Sequence, residues 1–103
     1  MATPPDPAVQ ALINTEMGRR IKNELAAHGT VSIGAGDLPE GVDLEMWRRV
    51  ARRIAHEMGR PFHSAVGAGD AWATLTDFPA TPAEREAHLA RLHRVVEAVA
   101  GLQ

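Results

Sequence analysis

The chain has no cysteine, so it has no disulfide framework, no thiolate metal site and no cysteine nucleophile. It has no apolar run approaching the roughly 20 residues of a membrane span. The opening stretch Met1 to Pro7 has neither the basic nor the apolar region of a secretory signal. A cytoplasmic protein is therefore expected. An excess of one charge is missing too, with 11 Lys+Arg against 13 Asp+Glu and a net charge of -2, which removes the simplest argument for a nucleic-acid partner. Lysine is nearly absent, since only Lys22 is Lys and every other basic residue is Arg.

Signatures of catalysis and cofactor binding are also lacking. Gly34-Ala35-Gly36 and Gly67-Ala68-Gly69 would each need a third glycine for a dinucleotide fingerprint, where Pro39 and Trp72 stand, and no Gly-Lys-Ser/Thr occurs. His56-Glu57 is followed by Arg60 where a zinc helix would carry its second histidine. His88 and His93 are five apart, on different sides of a helix. No Gly-x-Ser-x-Gly elbow surrounds Ser32 or Ser64, and no carboxylate pair stands apart from the solvated ones. The chain thus reads as non-enzymatic, with no cofactor and no metal.

What is present is a folded chain. Its 103 residues, 45% hydrophobic and 23% charged, are enough for one core and too few for two. Residues 1–7, with Pro4, Pro5 and Pro7, read as a flexible arm, and 8–103 as a single globular domain. A long first helix follows Asp6 as N-cap and Pro7 at its first position. It carries Val9, Leu12, Ile13, Met17, Ile21 and Leu25 on one face and stops before Gly29; His28 suits its C-terminus. Thr30 to Ile33 alternates as a short strand, and the loop Gly34 to Gly41 has room for one helical turn at Asp37 to Glu40.

Asp43 predicts the N-cap of a second long helix from Leu44 to Met58, with Gly59 beyond its end and Pro61 after that. Phe62–Val66 and Ala71–Thr76 flank the turn Gly67 to Asp70 and predict a β-hairpin. Thr81-Pro82-Ala83-Glu84 opens a last helix that ends at Gly101. The expected fold is α+β, with three helices and a small three-stranded antiparallel sheet. Trp47 reads as core from its helix face. Trp72 reads as core more weakly, because strand alternation sets it against Ala71, Ala73 and Leu75.

The distinctive segment is the second helix. At about 100° per residue, Arg48, Arg49, Arg52, Arg53, His56 and Arg60 fall within an arc of about 140°, opposite Trp47, Val50, Ala51, Ile54, Ala55 and Met58. Residues 47–63 hold five Arg and one Glu, a local +4. Like-charged neighbours such as Arg48/Arg52 and Arg49/Arg53 cost helix stability, so a partner off the helix is expected. One candidate is external and anionic. The other is internal, a clasp by the acidic loop 37–45 through Asp37, Glu40, Asp43 and Glu45.

The order helix, strand, short turn, basic amphipathic helix, hairpin resembles the winged helix-turn-helix class of DNA-binding domains over residues 8 to 76. The resemblance implies a recognition helix at 44–59, with Arg48, Arg49, Arg52, Arg53 and His56 meeting groove and phosphates and with Arg60 and His63 at the base of the wing. It implies a small transcriptional regulator or DNA-associated accessory factor whose partner is double-stranded DNA. The sequence departs from that class in the loop 34–42, with three glycines and one proline where a typical member has a full helix, and in the wing tip, where Asp70 would be repelled by phosphate. The alternative is an adaptor or regulatory subunit that binds an acidic protein through the same Arg face. Leu89, Leu92, Val96 and Val99 follow a 3-4-3 spacing. They read first as the face that packs the last helix on the core and, as the alternative, as the seam of a homodimer through helix 82–100.

Overall fold

A computed structural model describes residues 7–101. It is α+β, with four helices where three were expected. The expected first helix is two, α1 (Pro7–Ile13) and α2 (Glu16–His28), and the break lies at Asn14 and Thr15. Thr15 takes an extended conformation, its hydroxyl accepts from Gly18 N at 3.5 Å, and the same hydroxyl donates to Leu12 O at 2.5 Å, so one side chain closes α1 and opens α2. Gly18 is buried against α1, and a Cβ there would overlap the Ile13 carbonyl. Pro7 opens α1, as its expected place at the first helical position implies; residues 1–6 of the expected arm, with the Asp6 cap, lie outside the described residues.

α2 ends at Gly29, at φ +74°, the left-handed region that glycine enters freely. A side chain there would also run into the Phe78 ring. Three elements follow: β1 (Thr30–Gly34), a 3₁₀ turn (Ala35–Asp37) slightly earlier than expected, and α3 (Leu44–Glu57). The hairpin is β2 (Phe62–Val66) and β3 (Asp70–Leu75), and the chain ends with α4 (Pro82–Ala100).

The sheet is antiparallel in the order β1-β3-β2, with Thr30 opposite Thr74 on one side and Phe62 opposite Leu75 on the other. Ala71, Ala73 and Leu75 are buried on the inner face with Val31. Against them pack Trp47, Val50, Ala51, Ile54 and Ala55 of α3, with Val9, Ile21 and Leu25 behind. Trp47 is a core residue, as its helix face implied. Trp72 is not. Strand alternation turns it to the outer face of the central strand, half-buried between Ser32 and Ala65, with the His63 ring tilted on it at 5.4 Å.

The last helix does not complete the core. Thr81 caps α4 by accepting from Glu84 N at 3.1 Å, and α4 runs beside α2 along an open groove lined by Ala26, Ala27, Ala83, Ala87 and Ala90. None of its residues is buried. Leu89, Leu92, Val95, Val96 and Val99 are exposed, so the 3-4-3 stripe is not the face that meets the body.

Candidate nucleic-acid interface

α3 is bounded by its own sequence. The Asp43 carboxylate accepts from Met46 N at 2.7 Å at the start. At the other end Gly59 N donates to His56 O at 3.0 Å and Arg60 N to Ala55 O at 3.1 Å, with Gly59 at φ +69°. Between these ends the inward face is apolar, so the basic side chains face outward together. Arg49, Arg52 and His56 are exposed, and Arg48 and Arg53 are half-exposed. The structure thus brings five of the seven expected site residues onto one helix face.

Part of the charge on that face is balanced by the helix itself. Glu45 meets Arg48 at 3.0 Å, one turn earlier, and Arg48 also reaches Ser64 Oγ on β2 at 3.5 Å. The Arg48 guanidinium holds the Glu45 carboxyl below its usual range, chiefly by hydrogen bonding. Arg53 lies 3.3 Å from Glu57, close enough for charge attraction but without hydrogen-bond alignment at Nε. These (i, i+3) and (i, i+4) pairs supply from the helix itself part of the compensation that was expected from off it. They also reduce the acidic clasp to a single residue. Asp43 is the cap, Glu45 pairs with Arg48, and among the described residues Asp37 and Glu40 form no ion pair with an arginine. Among the described residues Arg52 and His56 form no ion pair and no side-chain hydrogen bond.

Arg60 and His63 stand elsewhere. The left-handed turn at Gly59 takes Arg60 off the helix, and its side chain, only 15% exposed, lies between two carboxylates. It donates to Glu84 at 2.6 and 2.9 Å and to Asp77 at 3.0 Å, with the Phe78 ring 6.0 Å away. Those bonds raise the Arg60 pKa further and, helped by Ala80 N–H, hold Glu84 below the usual carboxylate range. Arg60 therefore ties the start of α4 to the β2–β3 end of the sheet. His63 lies on the outer face of the sheet against Trp72, whereas α3 packs on the inner face. The sheet separates it from the arginines.

Two cations absent from the expected site lie close to it. Arg19 and Lys22 line a groove of about 420 Å³ with Ile54, Glu57 and Met58, at the C-terminal end of α3. The signal was the basic run Arg19, Arg20 and Lys22, which reads as solvated surface until the fold sets α2 beside α3. Among the described residues no group of three His, Cys, Asp or Glu could hold a metal ion, and no helix is long and apolar enough to cross a membrane. No family model, no curated protein and no solved structure matches the chain.

Proposed function

We propose that the chain binds double-stranded DNA through the outward face of α3, as a small transcriptional regulator or DNA-associated accessory factor. The observation that carries this reading is the common orientation of Arg48, Arg49, Arg52, Arg53 and His56 on a helix that leads directly into a hairpin. That order, with β3 between β1 and β2, supports a winged-helix arrangement in which α3 enters the major groove and the hairpin lies beside it. Arg60 and His63 are not among the contacts, the first because its charge is held by Asp77 and Glu84 and the second because it faces the other side of the sheet. Arg19 and Lys22 join the contacts at the C-terminal end of the helix.

Anisotropy titration with a random-sequence duplex at several salt concentrations tests the reading. The four arginines of α3 together with Arg19 and Lys22 on phosphates give a slope of log affinity against log salt of about -5.4, at about -0.9 per contact. The combined substitution Arg49→Ala and Arg53→Ala makes it shallower by about two units. A slope near zero, or one unchanged by that variant, overturns the proposal.

A second reading rests on the hairpin tip, where Asp70 opens β3 directly after the turn and would be repelled by phosphate. Under it the same arginines engage an acidic protein surface. The double variant then loses that partner while its DNA affinity stays at a weak background.

A further inference from the structure

α4 is 19 residues long and buries none of them. In proteins most of a helix's stability comes from packing an amphipathic face rather than from intrinsic propensity. Its links to the body lie in its first half: the Arg60–Glu84 pair, the His88 ring edge-on to Phe78, and half-buried Arg91 near Glu24 and Ser32. Away from these links the helix carries Leu89 at 64% exposure, Leu92 at 45%, Val95 at 55%, Val96 at 64% and Val99 at 54%. With Leu92 as zero and about 100° per residue, all five fall within an arc of about 120°. Leu89, Leu92, Val96 and Val99 keep the 3-4-3 spacing of a coiled-coil seam.

From this geometry we infer that α4 is a dimerisation helix, and that the stripe is covered by the same stripe of a second copy of the chain, aligned parallel. Two arguments select that occupant. The first is area. Five large aliphatic side chains about half-exposed present several hundred Å² of apolar surface, the size of the largest patch on a typical monomer, and pairing two such stripes buries about 1,000 Å², the threshold for a specific interface. The second is charge. Glu86 and Glu97, the latter 3.1 Å from His93, run along one edge of the stripe, and Arg91 flanks the other, while Arg94 lies on the α2 side of the helix. A two-fold axis parallel to the helices sets the acidic edge of one copy beside the basic edge of its mate, whereas antiparallel pairing sets like edges together.

The absence of cysteine makes the test clean, because any introduced thiol is unique. Sedimentation across the micromolar range should give twice the 11.1 kDa chain mass, and Leu92→Glu with Val96→Glu should return a single chain mass that still melts cooperatively, at a lower temperature than the dimer because the partner's stabilisation is lost. Val96→Cys alone should form a disulfide-linked pair under mild oxidation, since a parallel seam sets each residue opposite itself. A wild-type chain that stays monomeric, or a charged double variant that stays dimeric, overturns the inference. So does cross-linking between Leu89→Cys and Val99→Cys chains with none at Val96→Cys, which would mean antiparallel pairing. None of these measurements involves DNA, so the inference can fail or hold apart from the function proposed above.

Discussion

The two tryptophans give the sharpest test of which face of the sheet meets the core. Trp47 is 1% exposed among the aliphatic residues of α1, α2 and the sheet. Truncating it to alanine removes about 200 Å² of buried aromatic surface, worth about 5 kcal/mol at 25 cal/mol per Å² and close to the top of the 3–5 kcal/mol measured for Trp→Ala in cores. Trp72 buries less of its surface than Trp47 and its cavity opens to solvent, so Trp72→Ala should cost less, roughly 2–3 kcal/mol. Urea melts followed by far-ultraviolet circular dichroism compare the two, and Trp47→Phe gives an intermediate loss should the alanine variant be too unstable to melt. Tryptophan emission is a second readout: with Trp72→Phe the remaining Trp47 should emit to the blue, and with Trp47→Phe the remaining Trp72 should emit to the red. Equal costs for the two alanine variants, or a red-emitting Trp47, would refute the assignment of the sheet faces.

Gly18→Ala should destabilise by roughly 1–3 kcal/mol in the same melts, although glycine to alanine inside an open helix gains about 1 kcal/mol, because its Cβ meets the Ile13 carbonyl; a stabilised variant would show that α1 does not close on α2 there. Glu84 is held below its usual pKa in the fold by Arg60. Its contribution is therefore present above the unfolded-state value of about 4.3 and lost as the pH falls through the folded value. Thermal melts from neutral to acid pH should show a smaller acid loss for Glu84→Gln than for wild type, and identical acid limbs would remove the pair as a stabilising link.

Local signals in the sequence marked most element ends. Asp43 and Thr81 cap as their residue types imply, Gly29 and Gly59 close their helices, and the span Phe62–Val66 is a strand with the bounds its pattern suggests. The break at Asn14 and Thr15 was hidden because the apolar spacing runs through it from Val9 to Leu25. Helical periodicity reports which residues share a face, and two helices meeting at a tight corner can preserve it. The orientation of the hairpin was hidden for another reason. Alternation divides β3 into Trp72 on one side and Ala71, Ala73 and Leu75 on the other, and side-chain size, which favours Trp72 for the core, pulls against the number of apolar residues in the other set. The small set wins because α3 already supplies the bulk of Trp47 to the same space, and two tryptophans there would overfill a core of this size.

The site residues divide along the same line between local and tertiary information. That five basic residues share a face of α3 follows from helical geometry and the apolar side chains opposite, both contained within 14 residues. Arg60 looked like a sixth member because a wheel continues as long as it is drawn. Gly59 ends it, and the carboxylates that receive Arg60 lie 17 and 24 residues further on. The outcome bears on α4 as well as on the site. Arginine bound to Glu84 at the first turn of α4 leaves that helix anchored at one end, with its bare stripe beyond the anchor. An exposed apolar stripe was legible as a 3-4-3 spacing, but whether it meets the body or a second copy depends on where the anchor holds the helix. By fixing the alanine-lined side of α4 toward α2, the Arg60–Glu84 pair directs the leucines and valines away from the core.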